Sequence, residues 1–249
     1  LLNRMWYTGA YAVKLNLLKD YIGAILIDRG DRHSWTGDSH ISQGVSMAVF
    51  SNYDMIKHNL TRTAPDNNAI ESYSLYWVLS LLDYFYYSGD KDFLQSCLPV
   101  IQRKINHADS ALTHDTNLGF YGWDERLGAG FENPNCRESK FAFKMLFIQT
   151  CLRLSKAMPE VNAQEQQMTY ERLAIQQLDK IRKDSNWTDE LGIHSATDAI
   201  NGNFLSERET GMLLQKHYLD PVNTVSFSPF NQYFIIKAMA AAGIYQEAL

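Results

Sequence analysis

The chain has 249 residues, 45% of them hydrophobic, and carries a formal net charge of -5 at pH 7 with a pI near 5.8. That apolar fraction suffices for one large core or two small ones, and the charge leaves no basic stripe for a phosphate backbone, which excludes nucleic acid as the expected partner and favours a neutral one. No run of 18 apolar residues predicts a membrane span, and the first residues lack the charged-then-apolar order of a signal peptide.

Hydrophobic periodicity predicts helices over 3–20, 38–57, 69–88, 91–112, 140–158, 163–183, 203–217 and 229–242, with no paired strands in competition. Between the first two, "YIGAILI" (21–27) reads as extended; seven such residues reach about 23–25 Å, enough to carry the chain back along a helix of roughly 16 residues. "SYSLYWVLSLLDYFYY" (72–87) and "KFAFKMLFIQTCLRL" (140–154) are apolar nearly all round and predict burial on more than one side. The segment 163–183 instead keeps Tyr170, Leu173, Ala174, Leu178 and Ile181 on one stripe, and 91–112 is similar. Inner and outer helices therefore alternate, as a two-layer ring of helical hairpins requires. Around the last helix Ser228 suits the cap, Pro229 the first helical position and Gly243 the residue past the end. "IYQEAL" after it reads as the opening of another helix, so the chain is expected to stop inside its domain. Cys97, Cys136 and Cys151 are odd in number and lack metal-ligand spacing, which predicts thiols outside any disulfide. The sequons at Asn59 and Asn186 tilt weakly toward an extracellular or secreted chain.

Two connections gather the polar chemistry: "RGDRHSWTGD" (29–38) and the stretch of roughly 25 residues around "GFYGWDERLGAGFENPNC" (119–136). A sugar offers apolar C–H faces and polar rims, so its site needs flat aromatics beside Asp, Glu, Arg or Asn. Trp35 with Asp31 and Asp38, and Trp123 with Asp124 and Glu125, meet that need. Cleaving a glycosidic bond also takes two carboxyl groups in different roles, one protonated and one ionised.

Each feature has a plainer reading. Asp38 stands where an N-cap would, and Asp31 with Arg29 and Arg32 forms a surface ion-pair cluster as readily as a site. Arg126 can pair with Asp124 or Glu125 in the same way. His33 and His40 lie near Asp31 and Asp38, but the spacing matches no common metal motif, so no metal and no cofactor are expected. Tyr73, Tyr76, Trp77, Tyr84, Phe85 and Tyr86 read as core, with Trp77 alone a candidate to point into a ring's centre. Glu71 and Glu132 have no distinguishing context. No G-x-S-x-G, phosphate loop or dinucleotide fingerprint is present.

"DRGDRHSWTGDSH" (28–40) resembles the signature of the α-L-rhamnosidases of glycoside hydrolase family 78, approximately R-D-E-R-x-x-W-T-G-D, with variants R-D-R-x-x-W-x-G-D. The similarity extends in order through "LNRMWYTGAYAVKLNL", "YWVLSLLDYFYYSGDKDFL", "GWDERLG" and "FNQYFIIKAMAAAGIYQEAL". The resemblance implies an all-α (α/α)6 toroid, hydrolysis of terminal α-L-rhamnosides with inversion, and a rhamnose-containing glycoside as partner. By motif position Asp31 matches the general acid, Arg29 or Arg32, Trp35 and Asp38 match residues of the sugar pocket, and Trp123 and Asp124 lie in a loop that resembles another pocket wall. The acid position holds Asp where the family usually has Glu, which shortens the proton donor by one methylene. The family's general base would fall beyond the helix expected to begin at Ile244.

The expectation is thus a single six-hairpin glycosidase-like domain over 1–249, cut short after about nine helices. Asp31 and Asp38 are its catalytic candidates, and Arg29, Arg32, Trp35, His40, Trp77, Trp123, Asp124 and Glu125 its substrate-binding ones. The alternatives are a catalytically impaired carbohydrate-binding protein on the same fold, or a six-hairpin glycosidase for another sugar.

Overall fold

The structure is a computed structural model that describes residues 1–23, 34–114, 122, 124, 136–220 and 228–248. Among them are eleven α-helices and no strand, apart from one antiparallel bridge between Leu17 and Ile22. The chain divides inside α6 into two compact units, Leu1–His107 and Ala108–Leu249.

The first unit holds α1 (Leu2–Asn16), α2 (Thr36–Phe50), α3 (Tyr53–Thr63), α4 (Glu71–Ser88), α5 (Lys91–Ser96) and most of α6 (Leu98–His114). α4 is its axis. Tyr73, Leu75, Tyr76, Trp77, Val78, Leu79, Leu81, Leu82, Tyr84 and Phe85 are all buried, and α2, α3 and α5 pack around them. Each such side chain contributes about 1.5–3 kcal/mol of burial. Tyr86, expected in the core, is 54% exposed. The predicted helix 38–57 is two helices: it opens two residues earlier and breaks at Ser51, whose backbone is left-handed (φ 50), before Asn52 starts α3. Helix 91–112 breaks likewise at Cys97, two residues before Pro99, whose ring cannot follow a preceding helical turn. Asp90 caps α5 by accepting from Phe93 N–H, and it also binds Lys57 Nζ at 2.7 Å. The Lys57 hydrogen bond holds the Asp90 carboxyl below the usual carboxylate range.

The second unit holds α7 (Arg137–Ala157), α8 (Gln164–Ile181), α9 (Ile193–Asn201), α10 (Glu207–Leu213) and α11 (Pro229–Ala241). α7 is buried on all sides along its middle, as its composition predicts, and packs on α8 and α9; α9 also packs on α11. α8 is one-sided, with Tyr170, Ala174, Gln177 and Ile181 inward. The predicted helix 203–217 begins at a capping box, Ser206 with Glu209, and widens after α10 into a π-turn over Leu214–Tyr218. α9 has no counterpart among the predicted helices. Ser228, Pro229 and Gly243 (φ 80) act at the ends of α11 as expected, but residues 245–248 form turns and not a further helix. None of the three cysteines forms a disulfide, and no helix among the described residues is long and apolar enough to cross a membrane.

Candidate functional site

Trp35 and Asp38 sit at the start of α2, in the first unit. Trp35 occupies the cap position with an extended backbone, and no side chain caps the helix. Asp38 is therefore the third helical residue and not the N-cap, a correction that follows from the earlier helix start. A carboxylate in the first turn still meets the positive end of the helix dipole. The tryptophan is fixed from both flanks by one amide: Asn68 Oδ1 accepts from Thr36 N–H at 2.8 Å, and Asn68 Nδ2 donates to Ser34 O at 3.3 Å. Asn68 belongs to the turn 64–70, where it and Ala69 have positive φ. Asp66 Oδ1 accepts from Asn67 and Asn68 N–H, and Lys104 Nζ donates to Asp66 O at 2.7 Å. Burial pushes the Lys104 ammonium down to about 8, with Arg103 adding in the same direction.

Asp38 Oδ1 accepts a 2.6 Å hydrogen bond from Tyr73 Oη. Burial, and then the Asp38 charge, push the Tyr73 phenol far up, so it remains a donor. Gly37 lets the two approach: a Cβ there would lie 2.3 Å from Tyr73 Cε1. Behind Tyr73 stands Tyr76, stacked on His40 with centroids 5.7 Å apart. Ser80 Oγ donates its single hydrogen to Tyr76 O, so His40 Nδ1, 2.8 Å away, is the donor in the His40–Ser80 pair. His40 and Trp77, both predicted to bind substrate, are buried. His40 is 2% exposed, and Trp77 is 1% exposed with its indole N–H given to Leu60 O and Lys104 Nζ over its ring. Both belong to the core that supports α2. Asn59 is likewise buried and accepts from Ile22 N–H and Ser34 Oγ, so its sequon offers no accessible amide.

In the second unit Asp124 is buried at 4% exposure and serves as an anchor. Its Oδ1 accepts from Ser228 N–H and its Oδ2 from Asn231 Nδ2 at 2.7 Å, which ties Asp124 to the start of α11. Gly122 permits this with φ 111, since a Cβ would collide with Asn231. His194 Nε2 lies 3.4 Å from Asp124 Oδ2; burial pushes His194 down to about 4 although Asp124 opposes the shift. Glu138, from α7, accepts from the backbone N–H of Gly192, His194 and Ser195 and from Ser195 Oγ, all at 2.8 Å. Burial nevertheless moves its carboxyl upward. His217 Nε2 donates to Leu191 O at 2.9 Å, and burial pushes it too down to about 4.

No protein-family model matches the chain, and no curated protein matches it. Solved structures do. The GH78 family rhamnosidase of Bacillus sp. GL1 aligns over 99% of this chain with a TM-score of 0.77 and 14% identity. A rhamnosidase from Klebsiella oxytoca, crystallised with rhamnose bound, aligns over 97% with a TM-score of 0.68 and 15% identity. The chain has the fold of GH78 rhamnosidases. It spans 29% of the Bacillus protein and 53% of the Klebsiella protein, and so corresponds to part of structures whose catalytic domain is an (α/α)6 toroid.

On that rhamnosidase fold the predicted site residues other than the buried His40 and Trp77 divide into three groups. Trp35 and Asp38 stand together at the start of α2, while Asp124 is engaged by Ser228, Asn231 and His194 in the other unit. Arg29, Asp31, Arg32, Trp123 and Glu125 lie outside the described residues, as do His33 and Glu132. Sequence reasoning did not single out Asn68, Glu138, His194 or Asn231. For Asn68 the signal was the turn chemistry of "PDNNA"; for Glu138 and His194 there was none locally, since their partners lie 54 or more residues away. Among the described residues no group of three His, Cys, Asp or Glu side chains is placed to hold a metal ion.

Proposed function

We propose that the chain is part of an inverting glycoside hydrolase for terminal α-L-rhamnosides. The observation that carries the reading is the coincidence of the fold likeness with the R-G-D-R-H-S-W-T-G-D stretch, whose Trp35 and Asp38 open α2 beside the Asn68 turn. In this mechanism Asp31 protonates the glycosidic oxygen as the bond to the sugar breaks. A second carboxylate removes a proton from the attacking water, and inversion sets the two carboxyl groups about 6.5–9.5 Å apart to leave room for that water. Trp35 packs on the apolar face of the ring. Asp38, oriented by Tyr73, and Arg29 or Arg32 hold its hydroxyls.

A second reading is supported by Asp31 itself, which puts a shorter acid where glutamate is usual: a protein that binds rhamnosides without cleaving them. The test is release of the chromophore from an aryl α-L-rhamnoside by the natural polypeptide that contains this chain, beside its Asp31→Asn variant. The hydrolase reading expects turnover that falls by about 10²-fold or more in the variant, with binding kept. Turnover unchanged in the variant removes Asp31 from the acid role; binding with no turnover in the parent gives the second reading.

A further inference from the structure

We infer that Lys104 is a nucleophilic amine that forms a Schiff base with a small 2-oxo acid, a reaction separate from glycoside hydrolysis. Lys104 lines a recess of about 220 Å³ in the first unit, together with Asp66 and Asn67 of the turn 64–70, Ser74 of α4, and Arg103 and His107 of α6. The residue is only 4% exposed, so the recess is the approach to its amine from solvent. Sites for drug-sized ligands run to roughly 300–1,000 Å³; this one suits a molecule of a few carbons.

A lysine becomes a nucleophile when burial or a neighbouring cation disfavours its ammonium, and Lys104 has both. Burial first, and then Arg103, bring it down to about 8 against the weaker pull of Asp66. At pH 7.5 its unprotonated share exceeds that of an ordinary lysine by about 10²-fold. The nitrogen is also held in place: it donates to Asp66 O at 2.7 Å and lies 5.2 Å from the centre of the buried Trp77 ring. In the reaction Nζ bonds to the keto carbon, the C–O bond breaks, and the oxygen departs as water with both amine hydrogens. A proton from solvent then returns to the imine nitrogen, whose single N–H still serves Asp66 O, so the anchor of the turn is kept. Arg103 gives one N–H to Ala64 O at 2.9 Å, and the remaining donors of its guanidinium fork match a carboxylate, which favours a 2-oxo acid over a simple ketone. The two acids nearby already have partners: Asp66 Oδ1 accepts from Asn67 and Asn68 N–H, and Glu71 Oε2 lies 2.7 Å from His107 Nε2.

The experiment is incubation of this chain at pH 7.5 with pyruvate or with its uncharged methyl ester, in the presence of cyanoborohydride. The reagent reduces an imine to a stable secondary amine, and peptide mass spectrometry then reads the rate of labelling at each lysine. Pyruvate is expected to label Lys104 at least about tenfold faster than exposed lysines such as Lys180 and Lys183. That preference should vanish in urea and be smaller for methyl pyruvate. Arg103→Ala, checked for folding by circular dichroism, should lower the pyruvate preference by about tenfold and bring the two probes together. Labelling of Lys104 no faster than of the exposed lysines overturns the inference, as does a preference that survives in urea. An equal or greater preference with the methyl ester overturns the choice of a 2-oxo acid, and this comparison needs no variant.

Discussion

Gly37 shows how the W-T-G-D sequence works at the scale of one residue. In the first turn of α2 an alanine would ordinarily be worth up to about 1 kcal/mol more than glycine in helix propensity. Here the added methyl would lie 2.3 Å from Cε1 and 2.4 Å from Cδ1 of Tyr73. The ring has little room to yield, being 1% exposed, edge-on to Tyr76 with centroids 6.3 Å apart, and bonded to Asp38 at 2.6 Å. Overpacking of this kind costs about 1–3 kcal/mol, so the steric term outweighs propensity. Gly37→Ala is expected to lower the free energy of unfolding by about 1–2 kcal/mol net, read from urea denaturation. A variant as stable as the parent would mean that the Tyr73–Asp38 pair can move aside, and that Asp38 is less rigidly aimed than its 2.6 Å bond implies.

Among the elements, α9 depends most on a distant residue. Its N-terminal N–H groups point at no local cap, since Gly192 has no side chain; Glu138 supplies the acceptor from α7. Gly192 is also what admits the carboxylate, because a Cβ there would lie 2.4 Å from Glu138 Oε2. Losing a cap costs about 1 kcal/mol and each stranded buried donor about 1–3. Relief of a buried charge offsets part of this, so Glu138→Ala is expected to cost about 3 kcal/mol. Hydrogen exchange should accelerate at Ser195 through Ala199 and not along α8; uniform acceleration would show that α9 does not open by itself. The same contact explains why α9 was not legible in the sequence. Its cap is 54–57 residues away, whereas α11 carried its own signals in Ser228, Pro229 and Gly243, and α4 and α7 were legible from apolar composition alone. The breaks at Ser51 and before Pro99 had local signals too, but the apolar period ran through both, and periodicity averages over a window longer than a one-residue break.

At the scale of the molecule, the all-helical architecture and its inner and outer helices could be read from one sequence because both follow from which faces are apolar. The surroundings of Trp35 could not: Asn68 reaches it from another turn, and neither residue type announces the other. Nor could the pair of neutral buried histidines in the second unit, which makes the pH dependence of stability a test of this architecture. Burial depresses His194 and His217 to about 4, with Asp124 raising the first and Lys216 lowering the second. An unfolded histidine titrates near 6.5. Between those values the unfolded chain binds protons that the folded unit refuses. The stabilisation is therefore complete above pH 6.5 and is lost as pH falls toward 4, at about 1.4 kcal/mol per pH unit for each residue. From pH 7 to pH 5 that amounts to about 2 kcal/mol per histidine. Glu138, raised by burial, works in the opposite sense, so the decisive quantity is a difference between two proteins that share it. His217→Gln keeps an N–H donor for Leu191 O but does not titrate. Urea midpoints measured from pH 7 to pH 5 should fall more steeply for the parent than for His217→Gln, by the equivalent of about 2 kcal/mol. Parallel pH profiles would mean that His217 takes up its proton in the folded state, and that the π-turn over Leu214–Tyr218 opens to let water reach it.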